Sequence, residues 1–117
     1  QYLFCGNLRD KFGESGIVYV IIASVLSNSL VIHDWVMSCR VFGRGVEEAA
    51  FNHLSNWVKK KKIDKIEINF KKIKKNKYLQ ETIKNFSFKE NKKTLILDRK
   101  NMKKLKTQIQ INEIKTY

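Results

Sequence analysis

Proline is missing altogether from this chain of 117 residues, glycine occurs only five times, and cysteine twice. Without proline, and with no repeat or low-complexity linker, no internal boundary is marked, so residues 1–117 read as a single domain with one modest core. Cys5 and Cys39 lie far apart and form no CxxC pair. Neither a zinc site nor a disulfide framework is indicated; both read as reduced thiols, and no metal is expected. Long apolar runs are lacking too: the longest, Ile17 to Leu26, is interrupted at Ser24 and falls well short of the ~20 residues that cross a bilayer. No basic leader with an apolar stretch and a small-residue cleavage site opens the chain, so a cytoplasmic protein is the expectation. The first residue is Gln1, and apolar residues follow at once, which suggests a piece of something longer.

Acidic charge is scarce in one half only. Residues 1–58 hold four Lys/Arg against five Asp/Glu, a net of −1, so the chain's +13 leaves +14 in residues 59–117. Runs such as Lys59–Lys62 would suit nucleic acid or an anionic surface. Yet arginine, the residue of base-edge and bidentate phosphate recognition, supplies only four of the 24 basic groups. The lysine excess reads as a solvated surface, and nucleic acid is an unfavoured partner.

What is present is an alternation of element types. "GIVYVIIASV" is a buried strand, and "SNS" (residues 27–29) turns it into "LVIHDWVM", an antiparallel hairpin. Val46, Ala50, Leu54 and Trp57 recur at helical spacing, which predicts a helix over Val46–Val58 with Glu47 and Glu48 in its first turn. Ile66, Ile68 and Phe70 alternate as a strand, and Leu79, Ile83 and Phe86 mark a second helix. "TLILD" and "TQIQINEI" (residues 107–114) close as two more strands. The predicted order is β, β, β, α, β, α, β, β.

The glycines before the first helix pose the functional question, because a helix N-terminus behind a glycine turn is suited to an anion. "GRGVEEA" lacks the lysine and hydroxyl of a Walker loop. It also lacks the third glycine of a dinucleotide fingerprint, where Glu48 stands, and follows a hairpin instead of a lone strand; Asp64 downstream is discounted for that reason. "RVFGRG", Arg40 to Gly45, matches [Q/R]-x-x-G-x-[G/A] between a strand and a helix. In this element order it resembles the acyl-CoA-binding turn of the GNAT acyltransferases. The resemblance implies an α+β fold, a mixed, mostly antiparallel sheet with two helices packed on it, here lacking the family's N-terminal β1-α1-α2 portion. It implies acetyl-CoA, another acyl-CoA or phosphopantetheine as the acyl donor. Arg40, Gly43 and Gly45 are the motif positions; Val41, Phe42 and Arg44 would lend backbone N–H groups to the diphosphate. Met37 and Ser38 would lie along pantetheine, and Asn76 would open the second helix.

A narrower resemblance covers most of residues 8–88. "LRDKFGESGIVYVIIA", "HDWVMSCRVFGRGVEEAAFNHL" and "KKNKYLQETIKNFSF" are similar to the C-terminal GNAT-like part of FkbH-like proteins. It implies an upstream HAD-type domain in the full-length protein, whose DxDxT motif is not in this chain, and an acyl carrier protein as a donor.

The chain departs from the GNAT pattern where a tyrosine general acid is common. Ile83 falls near that position and Ser87 replaces a glycine, leaving Tyr78 as a substitute. Asp34 and His33 are candidate bases, with strict alternation placing His33 beside Trp35 and Met37 on one face and Asp34 on the other. Cys39, beside the anion turn, is the candidate for a covalent thioester. Three classes follow: an acyltransferase with an unknown acceptor, a binding module that holds coenzyme A or a carrier arm without turnover, and a basic anion binder. A first strand without its family partner would leave an apolar edge, from which a homodimer is expected.

Overall fold

The computed structural model describes residues 1–10, 13–38, 41, 43–69, 77–86, 88–91, 94–107, 109, 111 and 113–117. β1 (Tyr2–Asp10), β2 (Gly13–Leu26) and β3 (Ser29–Met37) form an antiparallel meander. Ser27 and Asn28 join β2 to β3 with φ of 49° and 57°, the two left-handed residues whose twist suits a two-residue hairpin loop. Ser29 already belongs to β3, so the turn is one residue shorter than the expected one.

The chain then crosses through α1 (Val46–Lys61) to β4 (Lys65–Asn69), which pairs with β3 in parallel, as a helical crossover allows. α2 (Lys77–Lys84), β5 (Lys89–Asn91), β6 (Thr94–Asp98), a single 3-10 turn (Arg99–Asn101) and β7 (Glu113–Thr116) follow. The sheet order is β5-β6-β4-β3-β2-β1-β7. β5 was not foreseen, because three polar residues carry no alternation to read.

One face of the sheet holds the core. Val46, Ala50, Leu54 and Val58 of α1, four residues apart, are buried there with Leu79 and Ile83 of α2. Phe51 joins the two helical layers, its ring centroid 5.2 Å from Phe86 and 6.0 Å from Phe88. Each fully buried Val, Leu, Ile or Phe among them stabilises the fold by roughly 1.5–3 kcal/mol. α1 outruns its apolar pattern by one lysine-rich turn and stops at Lys62. That residue is left-handed at φ 57°, with the N–H groups of Lys62 and Ile63 bonded to Lys59 O and Val58 O. On the opposite face Ile17, Leu26 and Val36 are exposed.

The C-terminal segment departs from expectation. Residues 107–114 were read as a strand, of which Gln108, Gln110 and Asn112 lie outside the described residues; the described strand is Glu113–Thr116, and before it Leu105, Thr107, Ile109 and Ile111 form a strap tied to α1 and packed on the core. The Asn52 side chain clamps it, donating to Leu105 O (2.9 Å) and accepting from Leu105 N–H (2.8 Å), while Thr107 Oγ1 donates to Gly45 O (2.8 Å). Ile109 and Ile111 spend their alternating pattern on packing against the core instead of on a sheet. β7 then pairs antiparallel with Phe4–Asn7 of β1. The edge expected to lie open is therefore filled by the chain's own tail, which removes the reason given for a homodimer.

Candidate functional site

Among the described residues β3 and β4 pair from Ser29↔Lys65 to Ile32↔Ile68, and no further. At that point β3 carries a bulge: Ile22 faces Asp34 while Ala23 faces Ile32, so His33 is the extra residue. The bulge changes the phase of the strand. Leu30 and Ile32 before it and Trp35 and Met37 after it all face the core, whereas His33 and Asp34 are both half-buried and turned away from it. Strict alternation had split His33 from Asp34; the inserted residue puts them together. His33 Nε2 lies 2.8 Å from Ser24 Oγ.

Beyond the bulge β3 keeps its β2 partner but, among the described residues, no strand on its other side. Ser38 N–H donates to Val18 O (3.0 Å), so the peptide groups of Ser38, Val36 and Asp34 point toward β2. Those of Trp35 and Met37 point to the open edge. The indole Nε1 of Trp35, a residue 2% exposed, also has no hydrogen-bond partner. Met37 buries its side chain, so only its main chain is offered to the edge.

The edge leads into the glycine turn. Gly43 and Gly45 have φ of 76° and 90°, a region that side-chain-bearing residues enter only under strain. Two of the three amides nominated from the sequence lie within the described residues, and both are spent inside the turn: Val41 N–H bonds Ser38 O (3.1 Å) and Arg44 N–H bonds Val41 O (3.3 Å). The donors that remain are those of the first turn of α1, whose N-cap Gly45 provides no side-chain cap. Cys39, Arg40, Phe42 and Asn76 lie outside the described residues.

Glu47, read from the sequence as a dipole partner, has a more specific place. It is 2% exposed, and its Oε2 accepts from Gly43 N–H (3.0 Å) and from Tyr78 O–H (2.8 Å), while Oε1 is buried without a partner. The turn thus already seats one carboxylate. Burial, and then Glu47, push the Tyr78 phenol above its ordinary pKa. A cleft of about 370 Å³ opens on the other side of the turn, lined by Gly43, Arg44, Gly45, Glu48, Lys106 and Thr107. Lys106 and Thr107 come from the strap, Thr107 62 residues from Gly45 in sequence, and no local pattern announces them.

A second polar chain crosses the core beside α1. Tyr19 Oη is hydrogen-bonded to His53 Nδ1 (2.8 Å), and His53 Nε2 to Thr116 Oγ1 of β7 (2.9 Å). Gly6 makes room for it, since a Cβ there would lie 2.0 Å from the Tyr19 ring. Burial lowers the His53 pKa to about 4, which keeps the imidazole neutral at physiological pH.

No protein-family model and no curated protein matches the chain. Among solved structures it is similar to the ribosomal-protein-S18-alanine N-acetyltransferase from Escherichia coli, with a TM-score of 0.59 and 11% identity. The match covers 72% of this chain and 63% of that one, less than two thirds of the enzyme's length. The likeness is one of fold, and it shows that this mixed seven-stranded sheet with two helices on it has the GNAT type of fold.

Proposed function

We propose that the chain is an acyltransferase domain that takes its acyl group from coenzyme A or from a carrier's phosphopantetheine. The observation that carries this reading is the end of the described β3–β4 pairing at the bulge, on a strand edge that leads into a glycine turn. Pantetheine is a chain with two amides, and the peptide groups of Trp35 and Met37, which point away from β2, suit it as a partner for strand-like pairing. The first-turn N–H groups of α1 suit a diphosphate, or the single phosphate of a carrier arm, with Arg44 and Lys106 offsetting Glu48 in the cleft and the nearby Glu47.

In this arrangement the thioester reaches the bulge, and Asp34 is the base nearest to it, with His33 alongside. An acceptor amine or hydroxyl attacks the thioester carbonyl, its proton passes to Asp34, the new acyl bond forms, and the carbon–sulfur bond breaks with release of the thiolate. Tyr78 is at the wrong end for a general acid, because its hydroxyl would lie 3.6 Å from a Cβ at Gly43, beside the phosphate. Cys39 remains the residue to test for a covalent route.

One observation favours a second reading, a module that binds without turnover. Ile83, near the position where GNAT enzymes often carry the acid, is fully buried in the core. The FkbH-like resemblance suits that reading as well, with an upstream HAD-type domain and an acyl carrier protein as partners. A thermal shift with coenzyme A at low and moderate salt tests both. Saturable stabilisation that survives salt and is lost in Gly45→Val supports a phosphate site at the turn. A shift that vanishes with salt, or that Gly45→Val leaves intact, returns the protein to the class of basic anion binders. Acyl transfer to an amine then separates enzyme from module.

A further inference from the structure

The strap covers a second cleft, of about 720 Å³, between itself and the outer side of α1, a size within the range of small-molecule sites. Trp57, Ile109, Ile111 and Ile114 give it an apolar lining, and Lys60 on the helix and Lys104 on the strap stand on its two walls. No acidic side chain is among the described residues that line it. It runs along α1 from Ala49 to Lys60 and, among the described residues, shares only Thr107 with the cleft at the glycine turn; the acyl-transfer reading uses none of its other lining residues. The three isoleucines and Trp57 together make an apolar track within it.

We infer that this cleft binds an amphipathic monoanion, a medium-chain aliphatic carboxylate, with the alkyl chain along the isoleucines and Trp57 and the carboxylate between Lys60 and Lys104. The charge pattern selects the occupant. Two cations, with no carboxylate among the described lining residues, attract an anionic head, and the apolar track desolvates a tail that a phosphate or a sugar does not have. The same track rules against a polyanion, which would find cations only at the walls.

The full chain titrated with decanoate below its micelle concentration provides the test, read by tryptophan emission and by the methyl resonances of Ile109, Ile111 and Ile114. Trp35 is buried in the core and gives a constant background, whereas Trp57 lines the cleft. The expected result is a saturable change with decanoate, shifts at those three isoleucines, and no saturation with decyltrimethylammonium. Lys60→Glu with Lys104→Glu should weaken decanoate by about tenfold or more, an effect of roughly 1.4 kcal/mol, while the coenzyme A thermal shift stays as in the parent. Equal binding of the cationic analogue, undiminished binding by the double variant, or methyl shifts elsewhere would each overturn the inference. Because the coenzyme A response is recorded separately, failure here and failure of the acyl-transfer reading are distinguishable.

Discussion

Helix α1 ends in two different ways. Its N-terminus is built from backbone: two left-handed glycines, a buried carboxylate bonded to Gly43 N–H, and a strap bonded to Gly45 O. Its C-terminus is built from charge, with Lys59, Lys60 and Lys61 in the last turn and Lys62 just beyond, all exposed to solvent. Sixteen residues at ~1.5 Å each separate the ends by about 24 Å, three Debye lengths at physiological salt. Charge density alone points to the lysine end. Directed donors point to the other, and a specific anion site needs donors held in place more than it needs cations nearby.

The largest effect expected from the buried side is on stability against pH. His53 is lowered from 6.5 to about 4, so the folded state resists protonation that the unfolded state accepts. Its contribution is whole above pH 6.5 and is lost as the pH falls toward 4, up to roughly 3 kcal/mol. Urea midpoints measured across that window should fall, and should fall less in His53→Gln. An equal fall in both proteins would assign the effect to other groups.

Much of this architecture was readable beforehand, and the failures share a cause. Val46, Ala50 and Leu54 announced α1 because a helix that buries one face must repeat its apolar residues; the extra turn Lys59–Lys61 buries nothing and so left no signal. Ile66 and Ile68 announced β4 in the same way. The bulge at His33 was invisible, since one inserted residue changes the phase of a strand without changing its composition, and both candidate bases were misassigned relative to each other. The strap was misread for a related reason: alternating isoleucines record that one side is buried, not whether a sheet or a helix buries it. Lys106 and Thr107 reach the glycine turn only through that long-range path.

A middle-sized effect is expected at the turn itself. Tyr78→Phe removes one of the two donors to a buried carboxylate and should cost about 1–2 kcal/mol of stability, measurable by denaturant titration. An unchanged midpoint would mean that Glu47 does not depend on the phenol. At the lysine end the smallest effect has the opposite sign. Lys62→Gly relieves a left-handed residue at the helix terminus and should raise stability by about 1 kcal/mol or less. A loss of stability would show that the Lys62 side chain contributes more than its backbone costs.

The comparison is tested most directly by calorimetric titration of coenzyme A, at one salt concentration, into Arg44→Ala and into a variant with Lys59, Lys60, Lys61 and Lys62 all changed to Gln. The account predicts that Arg44→Ala loses on the order of 1.5–3 kcal/mol of binding, the worth of a charge-assisted hydrogen bond. The four-lysine variant should bind nearly as the parent does. A greater loss in the lysine variant would contradict the account, because it would place the anion site at the charged end of α1 and not at its glycine turn.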